Sequence, residues 1–126
     1  ESVAHFMPKS YHISIPGYVY GGLLASLIDS HGTGTAAAAL YKAAKEQDPD
    51  TEPSTRTLTA SLHVDYLKPT PLGVELEVRG KVKELKGRKV VIEEWIIANG
   101  EITVRGEVVA VQVPESMVEK LVRRKE

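Results

Sequence analysis

The chain contains no cysteine. That excludes disulfides, thiolate zinc sites and cysteine nucleophiles together, and it suits residence in the cytoplasm. An excess of charge of one sign is also missing: Lys and Arg number 16, Asp and Glu 17, for a net charge of −1. No overall field draws such a chain to nucleic acid, so an anionic ligand would have to meet a local cluster of cations. No apolar run is long enough to span a membrane, because Ser26, Asp29, Ser30, His31, Thr33 and Thr35 interrupt the stretch from Gly21 to Leu40. A secretory signal pattern is absent. The histidines, His5, His12, His31 and His63, show no metal-ligand spacing, so no metal is expected. Gly32-Thr33-Gly34 lacks the rest of a phosphate loop or dinucleotide fingerprint.

What is present is a globular balance, 42% hydrophobic and 26% charged over 126 residues. That is enough for one core without staples, so a single domain over residues 1–126 is expected. Pro8, Pro16 and Gly17 punctuate an irregular start, with a short strand expected near Tyr11 to Ile15. From Gly22 to Lys45 the pattern turns helical. On a helical wheel Leu24, Leu27, Ile28, His31, Thr35, Ala38 and Ala39 form an apolar stripe. Gly22, Ala25, Ser26, Asp29 and Thr33 form a small, polar face opposite. Gly32 and Gly34 each weaken the helix by roughly 1 kcal/mol relative to alanine, so something is expected to pack closely against them.

After a polar loop from Gln47 to Thr55 the period becomes two. Leu58, Ala60, Leu62, Val64 and Tyr66 alternate with Thr57, Thr59, Ser61, His63 and Asp65, the pattern of a half-buried strand. Val74 to Lys83 reads as a second strand, and Lys86-Gly87-Arg88 as a hairpin turn. Val90 to Ile97 is apolar at both parities apart from Glu93 and Glu94, which marks a central strand. Asn99-Gly100 signals a further hairpin into a strand from Ile102 to Val113. Ser116 and Glu119 have the spacing of a capping box for a short terminal helix. The expected class is α+β: one long helix, then four consecutive antiparallel strands. One helix leaves part of such a sheet uncovered, and a second copy of the chain is the natural cover.

The segment from Pro16 through Tyr20-Gly21-Gly22 to Asp29 resembles the entry to the central helix of hotdog-fold thioesterases. It is most similar to the phenylacetate-type (PaaI-like) group of the 4-hydroxybenzoyl-CoA thioesterase superfamily. That group shows His-Gly-Gly and an acidic residue nine positions after the His. Leu62 to Pro69 is similar to the family's second strand. The resemblance implies a hotdog fold, a long central helix wrapped by a curved antiparallel sheet. It further implies a homodimer, in some relatives a dimer of dimers, with an acyl-CoA substrate bound between subunits. Coenzyme A is then part of the substrate, and no separate cofactor is implied.

In that frame Gly21 and Gly22 would offer helix N-terminal amides to the thioester oxygen, and glycine lets a ligand approach the backbone. Asp29 would be the base or nucleophile, with Ser26 beside it leaving room for a thin substrate arm. Thr59 matches a position where relatives hold the attacking water through a hydroxyl. Tyr20 stands in the His slot and Ser14 where relatives carry Asn. Among the cations Lys81, Lys83, Lys86, Arg88 and Lys89 of one hairpin, Arg88 and Lys89, together with Lys68, are the candidates for the coenzyme A phosphates. His31 lies about 200° from Asp29 around the helix and reads as a hydrogen-bonded core histidine, not as part of a dyad. The departures at Tyr20 and Ser14 favour a second reading, a non-catalytic acyl-CoA-binding or regulatory module. A dehydratase reading needs an Asp and a His five apart, and Gly34 stands where that His would be.

Overall fold

The computed structural model describes residues 1–12, 15–114, 116, 117 and 120. Its elements are β1 (Ser2–Phe6), α1 (Gly21–Gln47), β2 (Thr57–Tyr66), β3 (Leu76–Lys86), β4 (Lys89–Ala98) and β5 (Glu101–Gln112). The strands form one antiparallel five-stranded sheet in the order β1-β3-β4-β5-β2. The sheet curves around α1, which packs on β2, β3, β4 and β5. This is the hotdog arrangement. Among the described residues no helix is long and apolar enough to cross a membrane.

The β3-β4-β5 meander follows from its turns. Gly87 (φ 61°) closes the first hairpin, and Asn99 (φ 51°) with Gly100 (φ 75°) closes the second. Both are two-residue loops, and the two successive positive φ values of the second match the strand twist. The strand before the meander does not join it in sequence order. β2 pairs with β5 at the far edge and not with β3. The slot beside β3 belongs to β1, a strand that alternation in the sequence does not reveal because it is only five residues long. Of the segment expected as a strand near Tyr11 to Ile15, Tyr11, His12 and Ile15 are not in one, and Ile13 and Ser14 lie outside the described residues. The capping partner Glu119 also lies outside them.

α1 buries Leu24, Ile28, Gly32, Ala36 and Leu40, every fourth residue. This row differs from the stripe the wheel gives: Ala38 is exposed, and Gly32 faces the core. The reason is close approach. A Cβ on Gly32 would lie 2.7 Å from Glu94 Oε2 and 2.7 Å from Val108 Cγ2, so glycine lets the helix settle onto β4 and β5. Gly34 meets nothing within 4 Å, and the expectation of a close neighbour fails there. Gly32→Ala sets a helix-propensity gain of about 1 kcal/mol against overpacking of about 1–3 kcal/mol. Both neighbours are buried and unable to yield, so a net loss is expected, read as a lower urea midpoint at unchanged slope.

β2 is also not the half-buried alternating strand the sequence suggests. In the single chain it is exposed along most of its length, with Leu58 at 64% and Leu62 at 41%. A bulge between Thr59 and Ser61 shifts its register. Thr59 pairs with Ala110, Leu62 with Val108 and Val64 with Gly106, residues of β5 that all face the core. Thr59 therefore shares the inner face with Leu62 and Val64, whereas strict alternation would put it on the other side.

Candidate active site

α1 starts abruptly. Tyr20 is extended (φ −74°, ψ 149°) and provides no side-chain cap. The first amides of a helix have no partner within it, and here the N-cap residue supplies no side chain to satisfy them. The Tyr66 hydroxyl donates to Gly21 O at 2.8 Å. A peptide unit is planar, so holding the Gly21 carbonyl also fixes the direction of the Gly22 N–H. A Cβ on Gly21 would sit 3.2 Å from Tyr66 Cζ, and one on Gly22 would sit 2.9 Å from Tyr20 Cε2. Each glycine is thus fitted against one tyrosine ring. A cavity of about 350 Å³ opens beside Gly21, lined by Val19, Leu24, Tyr66, Lys68 and Thr70 among others. Lys68 pairs with Glu101 at 3.3 Å, both more than half exposed. Such a pair is worth about 0–1 kcal/mol, so Lys68 is released to an anion at little cost.

Asp29 is half-buried on the β2 side of α1. Thr59 Oγ1 donates to its Oδ1 at 2.6 Å, the short contact of a hydroxyl on a charged acceptor. The bulge in β2 makes this contact by turning Thr59 inward. One carboxylate oxygen is thus occupied, and Oδ2 is left for a water or substrate. Ser26, exposed, lies between Gly22 and Asp29 on the same face of the helix.

Arg88 and Lys89 are placed elsewhere. The hairpin that carries them abuts Leu40, Ala44 and Gln47 at the C-terminal end of α1, the opposite end from Gly21. Lys83 pairs with Glu107 at 3.0 Å and Lys89 with Glu84 at 3.7 Å. Within one chain the structure joins Asp29 with Thr59, and Gly21 with Tyr20 and Lys68, but it brings Arg88 and Lys89 to neither group.

His31 is the hydrogen-bonded core histidine its position suggests. Its Nδ1 lies 2.9 Å from Oε1 of Glu94, which is 0% exposed. Burial holds the Glu94 acid above its ordinary value; the His31 hydrogen bond and charge oppose that, and the charge of Asp29 adds to it. Two residues of consequence are not apparent as such in the sequence. Tyr66 stands within the segment that carries the family resemblance, but nothing there shows that its hydroxyl reaches Gly21. Glu94 is visible as an acid in an apolar strand, without a sign of its partner.

Residues 16–103 match the model of the thioesterase superfamily. An acyl-coenzyme A thioesterase THEM4 from Xenopus laevis is 36% identical over 88 residues, 70% of this chain and 33% of the relative. The mouse THEM4 is 31% identical over 87% of this chain and 41% of its own. The chain thus spans well under half the length of these relatives. A thioesterase superfamily protein from Shewanella loihica PV-4 is 51% identical in sequence, with a TM-score of 0.70 over 89% of this chain and 82% of that one. A hypothetical thioesterase from Streptococcus pneumoniae TIGR4, solved with coenzyme A, has a TM-score of 0.72 at 15% identity, over 88% of this chain and 77% of that one, which is likeness of fold alone. The matched stretch holds the start of α1, Asp29, Thr59 and Tyr66 together, and the chain belongs to the thioesterase superfamily.

Proposed function

We propose that the chain hydrolyses an acyl-coenzyme A thioester to the free acid and coenzyme A, at a site built by two copies. The observation that carries the two-copy reading is a distance. Asp29 follows Gly22 by seven residues, about 10 Å along the helix axis at 1.5 Å per residue. A reacting carbonyl needs its oxygen about 3 Å from the amide donors and its carbon about 3–3.5 Å from the attacking atom. One chain's Gly22 and Asp29 are too far apart to serve the same carbonyl.

β2 supports the pairing. It is ten residues long and lies at the edge of the sheet, with Leu58, Leu62 and Tyr66 exposed. A long edge of this kind, without lysine or proline to protect it, requires cover. A twofold-related copy pairing along β2 runs antiparallel, so the helices run antiparallel too. Asp29 of one copy is then brought toward the amides of the partner subunit's Gly22. The same geometry carries the Arg88–Lys89 hairpin of one copy toward the end of the other where α1 begins and Lys68 lies, where cations could meet the phosphates of coenzyme A. A further pairing of such dimers, and the phenylacetate-type placement suggested by the glycine pair and spaced acid, belong to the same reading.

In the reaction, Asp29 Oδ2 takes a proton from a water held by the Thr59 hydroxyl oxygen. The water oxygen bonds to the thioester carbon. Charge developing on the carbonyl oxygen meets the Gly21 and Gly22 amides. The C–S bond then breaks and the sulfur leaves as thiolate, taking up a proton to give the free thiol.

Subunit complementation tests the two-copy site. Asp29→Asn and Gly22→Val chains, each inactive alone, are unfolded together and refolded as a mixture. In a mixed dimer one site keeps both Asp29 and the partner's Gly22. Random pairing then restores about a quarter of parental activity. A mixture as inactive as its components would show that the site lies within one chain and would sink this reading.

A further inference from the structure

A second cavity lies on the other side of α1 from Asp29, between the helix and β1. Its volume is about 250 Å³, and its lining includes Ala4, His5, Phe6, Leu27, Ser30 and His31. A cavity of about 150 Å³ is enough for benzene, so this one has room for a small ring with a substituent or for a short chain. β1 is fastened over it by a hydrogen bond of 2.7 Å between Ser2 Oγ and Thr35 Oγ1. Gly80 makes space for the imidazole: a Cβ there would lie 3.2 Å from His31 Cε1. The hydrolytic mechanism uses none of these residues.

The character of the cavity is set by what stands behind His31. Glu94 is fully buried, its Oε1 bonded to His31 Nδ1 at 2.9 Å and its Oε2 without a partner among the described residues. Burial penalises net charge, so the pair is most stable when neutral overall, with one proton shared between Oε1 and Nδ1. Burial also pushes the Glu94 acid upward, in the same sense. Whether the shared proton sits on oxygen or nitrogen, the other ring nitrogen carries its own hydrogen. With Nδ1 taken, Nε2–H is the donor that His31 has left to offer. Ser30 and His5 add a hydroxyl and a second imidazole, the latter 3.7 Å from Glu77 Oε1, and among the described residues no carboxylate lines the cavity itself. The site therefore combines apolar walls with hydrogen-bond donors, which selects an acceptor on an apolar body.

We propose that this cavity binds a small monocarboxylic acid. The carboxylate accepts hydrogen bonds from His31 Nε2 and the Ser30 hydroxyl, and the apolar part lies against Ala4, Phe6 and Leu27. The site is separate from the reaction centre and stands whether or not the chain hydrolyses thioesters.

Benzoate and hexanoate serve as probes, titrated into the whole chain and followed by calorimetry and by the imidazole ¹H–¹⁵N resonances. A saturable shift of the His31 Nε2 resonance is expected, unaffected by coenzyme A. Ala4→Leu fills the apolar end, and it is expected to weaken binding at least about tenfold while leaving thermal stability and thioester turnover close to parental. Absence of any His31 response in the parent chain overturns the proposal, whatever the variant does. Binding that coenzyme A competes away, or that Ala4→Leu leaves unchanged, places the acid elsewhere and overturns it too.

Discussion

Asp29→Asn is expected to lower kcat on the preferred acyl-CoA by about 10²–10⁴-fold, the range for loss of a positioned general base. The substitution keeps shape, and its amide oxygen still accepts the 2.6 Å bond from Thr59. What disappears is the charge that draws a proton from water. Binding of coenzyme A is expected to stay within about twofold, because an interaction realised only in the transition state lowers kcat without weakening ground-state binding. The assay uses short, long and aromatic acyl-CoAs with a thiol reagent to read released coenzyme A. A chain without cysteine adds no background to that readout. Turnover that survives in the variant would remove Asp29 from the mechanism. Failure of the parent chain on every substrate, with coenzyme A still bound, would favour a binding module. The Tyr20 ring packed on Gly22 is the feature that would then explain lost catalysis.

His31→Leu is expected to cost about 3–5 kcal/mol of stability near neutral pH, the usual penalty for stranding one member of a buried pair. Glu94 Oε2 already has no partner among the described residues, and the substitution removes the partner of Oε1 as well. The loss should depend on pH, and its sign follows from the causes acting on Glu94. Burial raises its acid above the ordinary 4.5, and His31 restrains the rise. Without His31 the folded state holds the proton further above the unfolded value. The folded state then binds more protons than the unfolded chain across that window, so stability falls as pH rises through it. The deficit should be smallest near pH 4.5 and should widen toward neutrality, as read from urea midpoints. Adding Glu94→Gln, which cannot ionise, should flatten the dependence. A deficit of equal size at acid and neutral pH would mean that Glu94 ionisation plays no part.

How much of this was legible in the sequence depends on the range of each interaction. The helix was visible because its apolar and small residues recur with a local period, and the meander because Asn99-Gly100 and Gly87 are turn residues whose conformation is decided by their neighbours. The Gly21–Gly22 pair and Asp29 were visible as a spacing. The rest depends on partners far along the chain. β1 pairs with β3 across 70 to 78 positions, and five residues carry too little alternation to announce it. The row of α1 that faces the core is centred on Gly32 because of a carboxylate on β4 and a valine on β5, and no helical wheel contains those. The Tyr66 bond to Gly21 spans 45 positions. Arg88 and Lys89 stood out as a local cluster of charge, but only the folded chain shows which end of the helix they accompany.

The bulge in β2 has a consequence for how the family's strand can vary. A strand of strict two-residue period has one phase from end to end, so a choice of face made at one position binds every other. Thr59 and Ser61 straddle a phase slip, and the segments on either side of it are decoupled. The stretch from Leu62 to Tyr66 can keep its aliphatic and aromatic residues toward the helix, while the earlier stretch independently aims one hydroxyl at Asp29. The extra residue, Ala60, has no register partner on β5, yet the strand's count depends on it. Were the slip flattened with Ala60 still in place, Thr59 would stand three places before Leu62 in a regular strand and its hydroxyl would turn to the opposite face of the sheet, whereas removal of Ala60 would leave Thr59 two places before Leu62 and on the same face.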